Sequence, residues 1–249
     1  MVVTNFISYE KSICEILDML KISSVLKKQK NILIKPNIVN RDSFPITTPP
    51  KICENIVLYI KKHSNAQIII GDGCGSPEYS TIEAFKHLGY DEISNKYNID
   101  LVDLNTVPLK KYKDSSCLVH KEMHLPELIK THYIISVPVL KAHSLTQITG
   151  SMKNMMGLLP PKYYMGKHGV WNKAVFHNRV HESIIDLNKY VSPSLTILDA
   201  TVGMAEFHLG GAKCDPPVNK LVAGFDAKEV DRKAAELLGF NWNEIDHLK

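Results

Sequence analysis

Gln67 to Ser76 reads Q-I-I-I-G-D-G-C-G-S, an apolar run that closes on a carboxylate and breaks into a glycine turn. A short apolar run bounded by turn residues is the pattern of a buried strand. Past Pro77, Tyr79 to Leu88 has helical spacing and stops at Gly89, where glycine commonly ends a helix. The unit is strand, glycine turn, helix.

The same order recurs along the chain. Asn31 to Lys35 (N-I-L-I-K) is a strand stopped by Pro36, followed by a proline-rich loop over 36–50 and a helix from Pro49 or Pro50 to His63. Tyr133 to Val139, Ser194 to Asp199 and Lys220 to Gly224 are further strands, and Ala227 to Leu238 is a helix closed by Gly239. Ile99 to Leu104 adds a strand, Val107 to Leu125 a hairpin or edge excursion, and Glu10 to Leu20 and Ala174 to Tyr190 two amphipathic helices. Repeated strand-loop-helix units predict an α/β fold: a single domain over 1–249, with a largely parallel sheet and helices on both faces. The layout is Rossmann-like without a dinucleotide fingerprint.

At 249 residues, 44% hydrophobic and 22% charged, the chain can bury a full core, and disorder is not indicated. A net charge of +4, with lysines dispersed and no arginine-rich arm, argues against nucleic acid. No apolar run approaches the roughly 20 residues of a membrane helix, and the first ten residues lack a signal-peptide pattern. Five cysteines at long spacings, with no Cys-x-x-Cys, give no iron–sulfur or zinc motif and suit a reducing compartment. The expected location is the cytoplasm.

Ligands of open α/β sheets sit beyond the carboxyl ends of the strands. The residues at and just past the predicted strand ends are Lys35 with Asn37, then Asp72 with Gly73, Cys74, Gly75 and Ser76, then Lys141, His143, Lys153 and Asn154, and lastly Asp199 with Thr201. The stretch Leu140 to Gly157, read as one helix, separates into two faces. His143, Gln147, Gly150, Lys153, Asn154 and Gly157 fall with Thr146 within an arc of about 120°, and Leu145, Ile148, Met152, Met155 and Met156 fill the other side. A polar face with two glycines and few long charges looks approached by something, although a solvated surface helix has a polar stripe too. The long loops 158–171, containing Lys167 and His168, and 201–217 are expected to border the site.

Each residue type also has an ordinary reading. The Gly73 to Ser76 turn could seat an anion on backbone amides, or be a tight turn with Ser76 as a helix cap. Cys74 could be a nucleophile at a helix N-terminus, but no histidine is sequence-linked to it. Lys35 is either a site cation or a strand-end charge. Asp72 and Asp199 could hold a divalent metal, act as bases, or only cap the next element. His177 and His181, i and i+4 on a predicted helix, could share a metal, without the glutamate a zinc hydrolase helix carries.

Taken in order, I-K-P-N (Ile34 to Asn37), G-D-G (Gly71 to Gly73), V-P-V-L-K-A-H-S-L-T (Val137 to Thr146), K-N-M-M-G-L-L-P (Lys153 to Pro160), Lys167-His168, A-G-F-D and D-R-K-A-A-E-L-L-G resemble the family known as domain of unknown function 362, from about Ile32 to Gly239. The resemblance implies no particular reaction. Many members carry a ferredoxin-like cysteine cluster that this chain lacks, so a redox role would need a separate ferredoxin.

The expectation is an enzyme acting on a small anionic metabolite, a phosphate or carboxylate, by acid–base or metal-assisted chemistry. Lys35, Lys141 and Lys153 would neutralise the anion, and Asn37 and Asn154 would orient it. His143 with Asp72 or Asp199 would move protons, and Lys167 and His168 would arrive on closure of the loop. The alternative is a non-catalytic or redox-associated protein whose lysine-rich rim docks an acidic partner such as a ferredoxin.

Overall fold

The computed structural model describes residues 1–166 and 171–249. In chain order the strands are β1 (Val2–Asn5), β2 (Asn31–Pro36), β3 (Gln67–Asp72), β4 (Asp100–Asp103), β5 (Leu109–Lys113), β6 (Glu122–Pro126), β7 (Tyr133–Val137), β8 (Val139–His143), β9 (Gln147–Ile148), β10 (Leu195–Met204) and β11 (Lys220–Gly224). The helices are α1 (Tyr9–Met19), α2 (Ser23–Leu26), α3 (Pro50–His63), α4 (Thr81–His87), α5 (Tyr90–Tyr97), α6 (Gly150–Asn154), α7 (Pro161–Tyr164), α8 (Val180–Tyr190) and α9 (Ala227–Leu237).

Hydrogen bonding orders the main sheet β1-β11-β10-β7-β2-β3-β4, with β8 beside β10 and β9 beside β8. From β4 through β10 the pairings are parallel, and β11 and β1 close the other edge antiparallel. The fold is therefore α/β with a largely parallel sheet, as the repeated units predict. The Val107 to Leu125 segment is an antiparallel β5–β6 hairpin outside the main sheet.

Alternation along the strands feeds two cores. Ile32, Ile34 and Ile70 pack with Ile13, Ile56 and Phe85 from α1, α3 and α4. Leu33, Ile69, Ile134 and Leu198 pack on the opposite side with Met152, Ile184 and Val230 from α6, α8 and α9. Burial on both faces is why these strands read as unbroken apolar runs. The helix ends obey local chemistry: Pro50 opens α3, Ser80 and Glu83 form a capping box on α4, and the Asp226 carboxylate accepts the first amides of α9.

Two helix readings are overturned. Leu140 to Gly157 is not one helix: β8 and β9 form a tight antiparallel pair, α6 comes next, and Met155–Leu158 is a 3-10 turn. Gln147 and Gly150 have φ of 61° and 59°, which a continuous right-handed helix cannot contain. The pairing of β8 with β10 outweighs the helical periodicity. Ala174 to Tyr190 is likewise split, into a 3-10 turn at Ala174–His177 and α8, with Arg179 at φ 56° between them.

Candidate functional site: a lysine-lined cavity at the strand ends

β2 and β3 end side by side, each with a charged residue at its carboxyl end. Alternation carries Lys35 to the face of Leu33, toward α6. Its Nζ lies 2.6 Å from Oδ1 of Asp72, with both side chains buried. Asp72 also accepts two backbone amides, from Ile38 at 2.6 Å and Gly73 at 2.8 Å. Burial lowers the Lys35 pKa, and the Asp72 charge opposes that fall. Gly157 passes over the pair so closely that a Cβ there would overlap Asp72 Oδ1 and Lys35 Nζ.

From this pair a polar chain crosses the sheet. Lys35 Nζ donates to Asn154 Oδ1 at 3.4 Å, as does Asn37 Nδ2 at 3.1 Å. Asn154 Nδ2 donates to Ser136 Oγ at 3.0 Å, and Lys141 Nζ donates to Asn37 Oδ1 at 2.6 Å. Residues from β2, β3, β7, β8 and α6 are thereby locked together.

Over this floor lies a cavity of about 440 Å³, whose polar lining includes Asn37, Asp72, Lys141, His143, Lys153 and Asn154. Period two along β8 places Lys141 and His143 on the same face. Burial, reinforced by Lys153, pushes Lys141 down to about 7. His143 Nδ1 accepts the Leu145 amide at 3.0 Å, so a neutral ring carries its proton on Nε2. Burial and then the Lys153 charge hold that ring well below the ordinary imidazole range. It stacks on His208, with centroids 3.9 Å apart and planes 16° from parallel. His208 is lowered to about 3, chiefly by burial. Its Nδ1 and the Thr149 hydroxyl belong to residues that border the cavity, and neither has a hydrogen-bond partner among the described residues.

Lys153 differs from Lys35, which is paired with Asp72, and from Lys141 and Lys173, whose amines are held by neighbouring oxygens. Its amine has no hydrogen-bond or carboxylate partner among the described residues, and desolvation alone lowers it, to about 8. The short helix that carries it is held from α9: the Asp231 carboxylate accepts the amides of Ser151 at 2.5 Å and Met152 at 2.8 Å. Burial pushes Asp231 up to about 7 against the pull of those two amides. Gly150, at φ 59°, leaves room for it, since a Cβ there would collide with the carboxylate. Lys173 enters from the far wall, bonded to Asn105 Oδ1 and the Leu159 carbonyl, and burial lowers it to about 7.

The structure thus gathers Asn37, Asp72, Gly73, Gly75, Lys141, His143, Lys153 and Asn154 around one space, with Lys35 bonded beneath it. Gly73, Cys74 and Gly75 donate their amides to Asp72, Thr81 and Val39, so the glycine turn gives the cavity a wall and no free amide nest. The Ser76 hydroxyl faces the Glu78 amide. Cys74 is buried, its thiol raised by burial and directed to the carbonyls of Ser76 and Tyr79. Asp199 is on the opposite side of the sheet, accepting Tyr9 Oη at 2.7 Å and the Thr201 amide and hydroxyl. Its burial raises its pKa.

His177 borders the cavity, whereas His181 Nδ1 sits 2.8 Å from His247 Nδ1. The break at Arg179 is what parts them, and the described residues hold no group of three or more His, Cys, Asp or Glu placed to bind a metal. Lys167 and His168 lie outside the described residues. No motif or spacing in the sequence points to Lys173 or His208, and Asp231 heads the D-R-K-A-A-E-L-L-G motif without any sign there of its role. The length of the loop 201–217 is the one signal that touches His208, while Lys173 and Asp231 reach their places through contacts distant in sequence.

Fold and cavity together define an α/β protein with a cation-rich cleft at the carboxyl ends of its parallel strands. The model of the family described as Domain of unknown function (DUF362) matches residues 32–236, and the chain belongs to that family. It is 25% identical over 217 residues to a thylakoid-associated protein of Synechocystis sp. (strain PCC 6803), a match covering 86% of this chain. The match spans 64% of that relative's length. Among the described residues no helix is long and apolar enough to cross a membrane.

Proposed function

We propose that this protein is an enzyme that binds a small organic anion, a carboxylate or phosphate, in the cavity and acts on it by proton transfer. The observation that carries the reading is Lys153: a half-buried side chain whose ammonium has no hydrogen-bond or carboxylate partner among the described residues and lines a space that Lys141 and Lys173 also border. Asp72, the carboxylate of that lining, is already neutralised by Lys35. An uncompensated charge held partly out of water is unfavourable, and a bound anion relieves it.

The lysines also supply the acid and base. An amine held at about 7 or 8 exchanges its proton near neutral pH, where general catalysis is most effective. His143, neutral with its proton on Nε2, acts as a hydrogen-bond donor to developing negative charge. Asp72 holds Lys35 and the loop amides in place. Docking of an acidic protein such as a ferredoxin would call for lysines spread on an open surface, and here Lys141 is 1% exposed. A reducing, aqueous compartment is proposed for the protein, supported by five unpaired cysteines.

The test is thermal unfolding with and without phosphate, sulfate and simple dicarboxylates, on the wild type and on Lys153→Met. A ligand that binds only the folded state raises the melting temperature. The expected result is a rise in the wild type that Lys153→Met removes. A rise that persists in the variant takes Lys153, and the reading built on it, out of the site.

A further inference from the structure

The cavity is far larger than one oxyanion needs and lies within the roughly 300–1,000 Å³ of organic-ligand sites. The amines of Lys141 and Lys153 and the neutral His143 ring line its floor. The rim has the opposite character. Leu145, 54% exposed, and Phe207, 39% exposed, come from separate loops, and both line the cavity with the partly buried Leu209, Val39 and Trp171. Large apolar side chains left in water around one concavity mark a binding surface.

Free polar groups are few beside these apolar side chains: among the described lining residues Ser144, the Thr149 hydroxyl and His208 Nδ1 are the ones open to a ligand hydroxyl. The amides of Asn37 and Asn154 are engaged with each other, with Lys35 and Lys141, and with Ser136. A sugar-like body placed against Leu145 and Phe207 would turn more hydroxyls toward carbon than those few groups can pair, which is unfavourable.

Resting on the anion reading above, we infer that the ligand is an organic acid with a compact apolar body, a single ring or a short branched chain, and not a polyhydroxylated phosphate. Its acid group meets Lys153 and the His143 Nε2–H, and its body lies between Phe207 and Leu145.

The inference is tested by calorimetric titration of the full chain with inorganic phosphate, glycerol phosphate and phenyl phosphate, and in parallel with propionate and phenylpropionate. The phenyl ligands are expected to bind at least about tenfold tighter than their small or hydroxylated counterparts, about 1.4 kcal/mol. Phe207→Ala and, in a different loop, Leu145→Ala should each narrow that ratio; both residues are exposed, so the fold tolerates the change. Glycerol phosphate binding as tightly as phenyl phosphate, or a ratio that neither variant alters, overturns the apolar-body inference and leaves the anion reading standing. Failure of every anion to bind removes the anion reading, and this inference with it.

Discussion

Lys35 and Asp72, the last charged residues of two neighbouring parallel strands, form an ion pair with Nζ and Oδ1 2.6 Å apart and both side chains buried. Removing one partner of such a pair leaves an uncompensated charge in the core. Asp72→Asn or Lys35→Met is therefore expected to lower stability by about 3–5 kcal/mol. Replacing both with apolar residues should cost less than the two single losses added. Urea unfolding of the double-mutant cycle measures this; additive losses would mean the two groups are not coupled.

The cavity lysines make a prediction about pH. Lys141, Lys153 and Lys173 are held at about 7, 8 and 7 in the folded protein. In the unfolded chain a lysine titrates near 10.4. Between these values the unfolded chain binds more protons, so these groups destabilise the fold fully below about pH 7 and progressively less as pH rises toward 10. Without ligand, Lys153→Met should be more stable than the wild type at pH 7, and the difference should shrink by pH 9.5. Denaturant midpoints at the two pH values check it. A variant less stable than the wild type at both would mean that Lys153 is not a cost to the fold.

Anion affinity should track the same protons with the opposite consequence for binding. Sulfate does not titrate in this range, so its affinity reports only the protein. It is expected to fall as pH rises from 6.5 to 9, as the cavity lysines lose the charge the anion needs. Titrations at several pH values measure it, and an affinity flat with pH would remove the lysines as its ligands.

Asp231 should act through position. It is not among the residues that line the cavity, yet it accepts the amides that start the helix bearing Lys153 and Asn154. Asp231→Ala leaves two buried donors unpaired, and a cost of about 1–3 kcal/mol is expected. Asp231→Asn, which retains one acceptor, should recover part of the stability and part of the sulfate affinity. Equal loss of affinity in both variants, with stability recovered in Asn, would separate the helix from the site.

Gly157→Ala tests the packing over the ion pair. The added methyl overlaps Asp72 and Lys35, so the crossing segment must shift, at an expected cost of about 1–3 kcal/mol. A variant as stable as the wild type in urea would show that the segment yields freely.

Much of the fold is legible because buried parallel strands leave apolar runs that little else produces: β2, β3, β7 and β10 each stand out. Lys35 and Asp72 are legible because they end such runs. Leu140 to Gly157 misleads because its polar and apolar residues also sort at 100° per residue. The competing signal, Lys141 and His143 at period two, spans too few positions to outweigh it without the pairing to β10. Asp199 ends an apolar run as Asp72 does, but alternation sends it to the opposite core, where Tyr9 meets it. Lys173 and His208 cannot be found by spacing, since tertiary contacts alone bring them to the site, and the motif that contains Asp231 does not show that its carboxylate holds α6.

Asp72 receives the amides of both Ile38 and Gly73, one from each loop that leaves β2 and β3. Protection from deuterium ordinarily declines from the middle of a strand toward its connecting loops. Here the gradient should run flat or backward at the upper edge of the sheet: those two loop amides open only when the ion pair opens, and they would exchange on the timescale of the core while the outer ends of the same loops exchange freely.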